Sequence, residues 1–455
     1  VSNHSAYLVK ECSSAIWAPI LLPESPIAVL AWDSIDAIAQ AVMARDYKPT
    51  TQGNLRENNY YEEALLYGYL AVARHDLEWA NRATERLNLA IERVAENGGY
   101  LGLYGGITGL GWTVEHVSRL FEQIAAGDRS DEDENQAAES APDEMPEEDL
   151  NADVDAIVIR NLPHISASSP YDLISGLVGF GVYFLERLPK QSAMEGVNAI
   201  LDQLERLSQQ TNDGITWHSG PELLPDWQRQ QCPGGYYNLG VAHGIPGIIH
   251  FLSEVSASPV ARSNRSYQLL DGAVRWLIAQ ARPSGLASRF SSWIVPGEEP
   301  TDSRMAWCYG DLGILAVLLQ AARRADRLDW RQFADELLDH CLAWPMEKAG
   351  IGDAPLCHGA AGVAHIFNRI YQAEGDRRCL AAAMQWYERT LTMRQLGSGV
   401  GGYSSLTRPD PDKPIVWEPS PAFLDGAIGV ALGLLAAVTP VEPAWDRMLL
   451  LSGKR

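Results

Sequence analysis

The feature that most constrains this chain is a pair of glycines that returns six times: a glycine, two residues, a second glycine, then an apolar run of helical length. The copies are "GITGLGWTVEHVSRLF" from Gly106, "GLVGFGVYFLERL" from Gly176, "GIPGIIHFLSEV" from Gly244, "GDLGILAVLLQAARR" from Gly310, "GAAGVAHIFNRIYQ" from Gly359 and "GAIGVALGLLAAV" from Gly426. Successive first glycines stand 70, 68, 66, 49 and 67 residues apart, a spacing that suits a helical hairpin with a long loop. The runs after the glycines, such as "LAVLLQA" and "VALGLLAAV", are apolar nearly all round and read as helices buried on every side. Between them, "WANRATERLNLAIERVAEN", "AMEGVNAILDQLERLSQQ", "WRQFADELLDHCLAW" and "LAAAMQWYERTLTM" carry one apolar stripe and one charged face.

An N-terminal helix pair, expected near 35–46 and 60–75, brings the total to seven hairpins; its inner member lacks the glycines. Seven buried helices ringed by seven amphipathic ones describe an all-α chain folded as an α/α toroid, a single domain spanning 1–455. Each repeat then buries its apolar face only against its neighbours, and the closed ring has no open end. The inner helices should all start at one end of the barrel, so residues just before the glycines converge on a shared mouth. Two long loops rich in Gly, Pro and aromatics lead there, "DGITWHSGPELLPDWQRQQCPGGYYNLG" and "GGYSSLTRPDPDKPIVWEPSP", and are placed to grip a peptide.

Composition removes several function classes. Hydrophobic residues make up 46%, with fourteen Trp and seventeen Tyr, so a large core is assured. The formal charge of −22 argues against nucleic acid as a partner, because phosphate-backbone binders carry a basic stripe. Residues 127–155 hold thirteen acids and one Arg and read as an acidic linker or loop; without their −12 the rest carries −10. Six cysteines, at 12, 232, 308, 341, 357 and 379, show no framework spacing and suit a reducing compartment. The N-terminal "IWAPILLPESPIAVLAW" is broken by Pro19, Pro23 and Pro26, stopped by Asp33 and preceded by no basic stretch. Neither a signal peptide nor a membrane span is expected, and the reading is a cytoplasmic protein.

Polar chemistry collects at the converging positions. "SPYDLISG" brings Asp172, "NLGVAHG" His243, "RMAWCYG" Arg304, Cys308 and Tyr309, and "LCHG" Cys357 and His358. Adjacent side chains inside a helix diverge by about 100°, so Cys357 and His358 can share an ion only from a loop or a helix start. Two cysteines and a histidine are the ligand set of catalytic zinc sites that keep a fourth position open, although buried thiols and a capped histidine are the alternative. Two thiolates and a neutral imidazole cancel the charge of Zn²⁺, giving a weak Lewis acid suited to holding a substrate thiol as thiolate. A thiolate adding to an alkene conjugated to a carbonyl makes an enolate, which needs a proton and charge stabilisation. His243, held by Asp172, could give the proton, and Arg304 or Tyr309 could steady the oxygen. Each has a plainer reading: Asp172 as a helix cap, His243 as a satisfied loop residue, Arg304 in a surface ion pair, Tyr309 as core.

In "NLGVAHGIPG", "RMAWCYG" and "CHG", supported by "YDLISGLVG" and "FLDGAIGVALGLL", the chain resembles the LanC family of lanthionine cyclases over residues 60–438. The resemblance implies an α/α toroid with zinc on Cys308, Cys357 and His358, His243 and Asp172 in catalysis, and Arg304 and Tyr309 lining the site. It implies a lanthipeptide cyclase that adds Cys thiols of a dehydrated precursor peptide to dehydroalanine or dehydrobutyrine, forming (methyl)lanthionine rings. It also implies a dehydratase and an export transporter as partners, at the inner face of the membrane. Asp311 in "WCYGDLG" stands where the family often has a small residue or Pro, a departure expected to touch only the turn. Three other readings stay open: a LanC-like enzyme that adds glutathione, a non-catalytic zinc-stabilised scaffold, and a different zinc-bearing α/α barrel such as a prenyltransferase subunit.

Overall fold

The computed structural model describes residues 17–44, 60–127, 149–407 and 413–453. Seven helices form a closed inner ring: α2 (Tyr60–Arg74), α4 (Ile107–Gly127), α6 (Leu177–Arg187), α9 (Ile245–Ala257), α11 (Asp311–Arg324), α13 (Ala360–Glu374) and α15 (Ala427–Val438). Each touches the next, and α15 returns to α2. The apolar runs predicted this: every residue of α15 is buried, as is α11 from Asp311 to Ala322. Around them stand α1 (Pro26–Ala44), α3 (Leu77–Asn97), α5 (Ala152–Asn161), α7 (Gln191–Leu207), α10 (Asn264–Ala279), α12 (Leu328–Ala343) and α14 (Arg377–Thr392). Their narrow apolar stripes face inward; α3 buries only Ala83, Leu87 and Ala90.

The hairpin pairing differs from the expected one. Helices 26–44 and 60–74 do not form the first hairpin: α3 packs on α2, and α1 packs chiefly on α15 at the other end of the chain. Each inner helix is therefore followed by its outer partner, and the N-terminal helix supplies the partner that α15 lacks. Trp17 Nε1 donates to Ala436 O at 2.8 Å, and the Ile20 and Leu21 amides both donate to Ala437 O, fastening the ring's two ends. By length and composition α1 could cross a membrane. In the fold it lays Ala28, Ala31, Ile35, Ile38 and Val42 against its neighbours.

The glycine turns explain why inner helices start where they do. A helix leaves its first N–H groups without intrahelical acceptors. Here the loop before five of the inner helices doubles back and supplies carbonyls from seven residues upstream. Ile107 N–H donates to Tyr100 O, Val178 and Gly179 to Tyr171 and Asp172, Gly313 to Ala306, Ala360 and Ala361 to Asp353 and Ala354, and Ala427 and Ile428 to Ser420 and Pro421. The third copy carries Pro246, which has no N–H to give. Such a tight return leaves no room for side chains: a Cβ on Gly362 would sit 1.9 Å from Leu356 O, and Gly310 adds a φ of +129° that side chains rarely adopt.

The far end of the barrel is filled by the chain's own C-terminal segment. Residues Ala444–Leu449 form a 3-10 turn that buries Trp445, Asp446, Met448 and Leu449. Tyr104 Oη donates to Met448 O, Trp307 Nε1 to Leu449 O and Gln320 Nε2 to Leu450 O, at 2.6, 2.7 and 3.0 Å. Asp446 accepts from Arg369 and pairs with His365 at 2.7 Å, and Arg447 pairs with Glu186 at 3.0 Å.

Most of the acidic run, 128–148, lies outside the described residues. Its last part is not a solvated linker. Asp149 and Asp155 each take a 2.7 Å bond from the fully buried Arg187, which also holds Glu115. Asp155 lies in α5, the outer partner of α4 and α7, so this corner of the ring is closed by charge as well as apolar area. The loops at the mouth carry three two-stranded ladders and a short helix, α8 (Asp226–Gln231): β1 (Gln209–Gln210) with β2 (Ile215–Thr216), β3 (Tyr237–Asn238) with β4 (Trp293–Ile294), and β5 (Ser405–Thr407) with β6 (Val416–Glu418).

Burial opposes the charge on Asp446, but Arg369 and His365 outweigh it and hold its pKa down at about 2. The stabilisation is therefore full above the unfolded carboxylate range and is lost as pH falls through about 2. Asp446→Ala removes the buried carboxylate shared by His365 and Arg369, leaving the guanidinium only Glu442 and the Pro443 carbonyl, and should cost about 3–5 kcal/mol at neutral pH in denaturant unfolding. A loss below about 1 kcal/mol would show that the plug contributes little to the fold.

Candidate metal centre

Four residues that the glycine turns place immediately before the first glycine carry ionisable or hydrogen-bonding side chains: His243, Tyr309, His358 and Asp425. One position earlier stand Cys308 and Cys357. Backbone bonds between successive turns stitch this belt together. Tyr104 N–H donates to Ile174 O, Leu173 to Ala242, Cys308 to Cys357 and Cys357 to Leu424, all at 3.0–3.2 Å. The bond between Cys308 and Cys357 brings two thiols from different repeats to one point. Among the described residues the Cys308 and Cys357 sulfurs and a His358 ring nitrogen form a cluster, all within 4.8 Å of one another. Tetrahedral zinc with sulfur bonds of about 2.3 Å separates two thiolates by roughly 3.8 Å, so this donor set fits zinc with small adjustments.

The two thiols act on each other: hydrogen bonding from Cys357 and the neighbouring His358 draw Cys308 down, while Cys308, burial and Asp425 push Cys357 up. Burial works against a charged His358, but Cys308, Asp353 and Asp425 outweigh it and bring its pKa to about 9. Asp353 lies 3.7 Å from Nε2 and Asp425 3.8 Å from Nδ1, too far for hydrogen bonds but close enough to set the field. Asp353 is itself fixed, its Oδ2 accepting Leu406 N–H at 2.9 Å.

His243 stands on the neighbouring turn with its Nδ1 2.5 Å from Asp172 Oδ2. Asp172 is locked in turn: its Oδ1 accepts the Ser175 amide at 2.8 Å and the Ser175 hydroxyl at 3.1 Å. It therefore stiffens the loop and holds the imidazole, and the helix cap itself is Gly176. Burial opposes the imidazolium, but the bond to Asp172 and its charge win, so the pKa of His243 lies above the ordinary 6.5. A proton on Nδ1 leaves Nε2 as the nitrogen available to a substrate. The Tyr309 ring lies 6.3 Å from that of His243, with its hydroxyl accepting from Asn238 Nδ2 at 3.1 Å. Burial keeps the phenol protonated, well above its ordinary range. Arg304 is exposed and makes no ion pair among the described residues, and its charge favours the ionised forms of both Cys308 and Asp353. All seven residues singled out by sequence thus stand at this mouth.

A profile described as "Lanthionine synthetase C-like protein" matches residues 64–450. The chain belongs to that family. Among curated relatives of this LanC-like protein, "Glutathione S-transferase LANCL1" of Danio rerio is 27% identical over 227 residues, 47% of this chain and 50% of the relative. "Nisin biosynthesis protein NisC" of Lactococcus lactis subsp. lactis is 26% identical over 228 residues, 45% and 50%. The chain spans about half the length of the curated relatives it matches. The solved structure of "Nisin cyclase" superposes with a TM-score of 0.68 over 93% of this chain and 98% of that one, at 18% identity, which shows the shared toroid.

Three residues of the LanC-like site escaped sequence reasoning although their register announces them. Asp425 occupies the position of His243, Tyr309 and His358 in the sixth copy. Asn238 and Asp353 stand six before their glycines, as Arg304 does. The expectation for Asp311 also needs correcting. Buried at the start of α11, it accepts the Arg289 and Phe290 amides at 2.7 and 2.9 Å and lies 3.4 Å from His340. It pins the loop that carries Trp293 to the mouth, so its reach extends beyond the turn.

Cys308→Ala and Cys357→Ala should each purify with near-zero zinc by metal analysis, whereas His243→Ala should keep about one equivalent, because the imidazole of His243 belongs to a different turn. Stoichiometric zinc in both cysteine variants would place the metal elsewhere.

Proposed function

We propose that this LanC-like protein is a zinc-dependent cyclase that adds peptide Cys thiols to dehydroalanine or dehydrobutyrine, closing lanthionine or methyllanthionine rings. The observation that carries the reading is the meeting, on one rim, of a two-thiol, one-imidazole cluster with a histidine held by a carboxylate. Zinc bound by Cys308, Cys357 and His358 would supply thiol activation, keeping an incoming sulfur deprotonated in its fourth position. The protein's groups do the rest. As the sulfur bonds to the β-carbon, the alkene electron pair moves through the α-carbon toward the carbonyl oxygen. Tyr309 and Arg304 face that oxygen as donors. His243 Nε2, charged through its pairing with Asp172, returns a proton to the α-carbon, balancing the one lost by the thiol.

The long loops at the mouth are the part of the molecule suited to holding an extended peptide, and the net charge of −22 disfavours nucleic acid as a partner. We place the protein in the cytoplasm, receiving its peptide from a lanthipeptide dehydratase and passing it to an export transporter at the inner membrane face. A second reading has a specific observation behind it: one relative's name is a glutathione S-transferase. The same rim would then join glutathione to a dehydrated residue in trans.

The two separate by product. Incubated with a co-expressed dehydrated peptide, a cyclase leaves mass unchanged while hiding a thiol from alkylation; glutathione transfer adds the mass of the tripeptide. Faster glutathione addition than ring closure would overturn the cyclase reading. His243→Ala should lower kcat about 10²–10⁴-fold with zinc retained.

pH dependence follows from the general-acid role. His243 works protonated, and its pKa lies above 6.5, so the rate should fall as pH rises through that raised value. Asp172→Asn removes the charge that raises it, so the falling arm should move to lower pH. An unmoved arm would assign the titration to another group.

A further inference from the structure

The Asn238 side chain is buried and its orientation is fixed by one unambiguous donor. Its Oδ1 accepts the Gly240 amide at 2.9 Å, and a backbone N–H can only donate. The amide NH₂ must then face the other way, where Nδ2 lies 3.1 Å from Tyr309 Oη and 3.5 Å from Tyr236 Oη. An NH₂ group offers no acceptor, so the Tyr309 oxygen receives and its own hydrogen points elsewhere. Among the described residues no other hydrogen bond is made by that hydroxyl. The ring cannot swing to find one easily: it lies 6.3 Å from His243 and edge-on to Trp293 at 6.2 Å. Trp293 is the residue that Asn238 faces across the β3–β4 ladder, so one short ladder holds both neighbours of the phenol.

From this geometry we infer that Asn238 is a positioning residue that turns the Tyr309 O–H outward, as a donor to the carbonyl oxygen that gains charge during thiol addition. The inference rests on the thiol-addition reading above. In that step the sulfur–carbon bond forms, the π pair moves to the oxygen, and Tyr309 hydrogen-bonds there without giving up its proton. His243 then protonates the α-carbon. Asn238 never touches substrate; it acts through the phenol.

Asn238→Asp is nearly isosteric and reverses the logic. One carboxylate oxygen keeps the Gly240 bond, and the other accepts from Tyr309, drawing the hydrogen inward. The variant should lose kcat about as far as Tyr309→Phe does, about 10²–10³-fold for one lost oxyanion donor, with KM for the thiol and zinc content unchanged. In the N238D/Y309F double variant the aspartate should cost nothing further. A purely structural or electrostatic role predicts the opposite, a loss that persists on the Y309F background, and that result overturns the inference. So does wild-type kcat in N238D. If N238D does not fold, Asn238→Ala replaces it: a smaller loss of kcat is expected, again absent on the Y309F background.

An activity-free measurement keeps the two ideas apart. The tyrosine Raman doublet, taken as a difference from Y309F, should report an accepting hydroxyl in the wild type and a donating one in N238D. Wild-type protein that adds no thiol but shows this change sinks the function reading alone. Active wild type with an unchanged doublet sinks the role of Asn238 alone.

Discussion

The structure depends on one backbone arrangement, the doubling back of the chain before five of the seven inner helices, α4, α6, α11, α13 and α15, so that carbonyls seven residues upstream take the first helical N–H groups. Elsewhere helix starts are commonly satisfied by Ser, Thr, Asp or Asn side chains. At these turns the caps are glycines with no side chain to offer, and the loop itself does the work. That solution has a geometric consequence. Because the turn is made by backbone, the side chains at its corners are released from capping, and they stand at fixed positions one, two and six residues before the glycine. A ring of such turns is a ring of side-chain sockets, and the site is built by filling them.

Closing the ring is a separate problem, solved by ends distant in sequence. The last inner helix has no following outer helix, and α1 supplies one from the N-terminus. The 3-10 turn after α15 then carries Trp445, Asp446 and Met448 into the barrel. A hollow ring lined only by apolar side chains would lose dispersion contacts along its axis, and a narrow polar lining without partners would be costly. The plug meets both needs, giving apolar bulk through Trp445 and Met448 and a carboxylate to Arg369 and His365.

How much of this was legible follows from which interactions repeat. The α/α toroid could be read because glycine spacing and all-round apolar helices recur six times, and six of the seven site residues because they stand one, two or six before those glycines, with Asp172 four before its own. Pairing failed at the N-terminus for a physical reason: α2 lacks the glycine turn that marks an inner helix's start, and closure by α1 is a contact between residues some four hundred apart. The acidic run misled because composition cannot distinguish solvated acids from those, such as Asp149 and Asp155, that are the counter-charges of one buried Arg187. Asp311 misled similarly: the turn was visible, but the Arg289 and Phe290 amides it accepts come from a loop with no repeat to announce it.

The charge balance of the rim explains why thiol chemistry suits it better than hydrolysis. Two thiolates already neutralise a divalent ion, and Asp353 and Asp425 add negative field from either side of His358. Zinc held by these residues would polarise bound water less than it would among three neutral imidazoles and would still favour the anion of a thiol. In the proposed thiol addition the same negative field would have to be reversed where the enolate forms. There the groups are donors or cations: His243, whose imidazolium Asp172 favours, the protonated phenol of Tyr309, and Arg304, which makes no ion pair among the described residues. The two halves meet within the turn before Gly310, electron-rich at Cys308, Cys357 and His358 and electron-poor at His243, Tyr309 and Arg304. A nucleophile held on the first half and an acceptor carbonyl on the second would meet along the line that joins them. On the proposed reaction, the repeat sets the polarity of the chemistry as well as the fold.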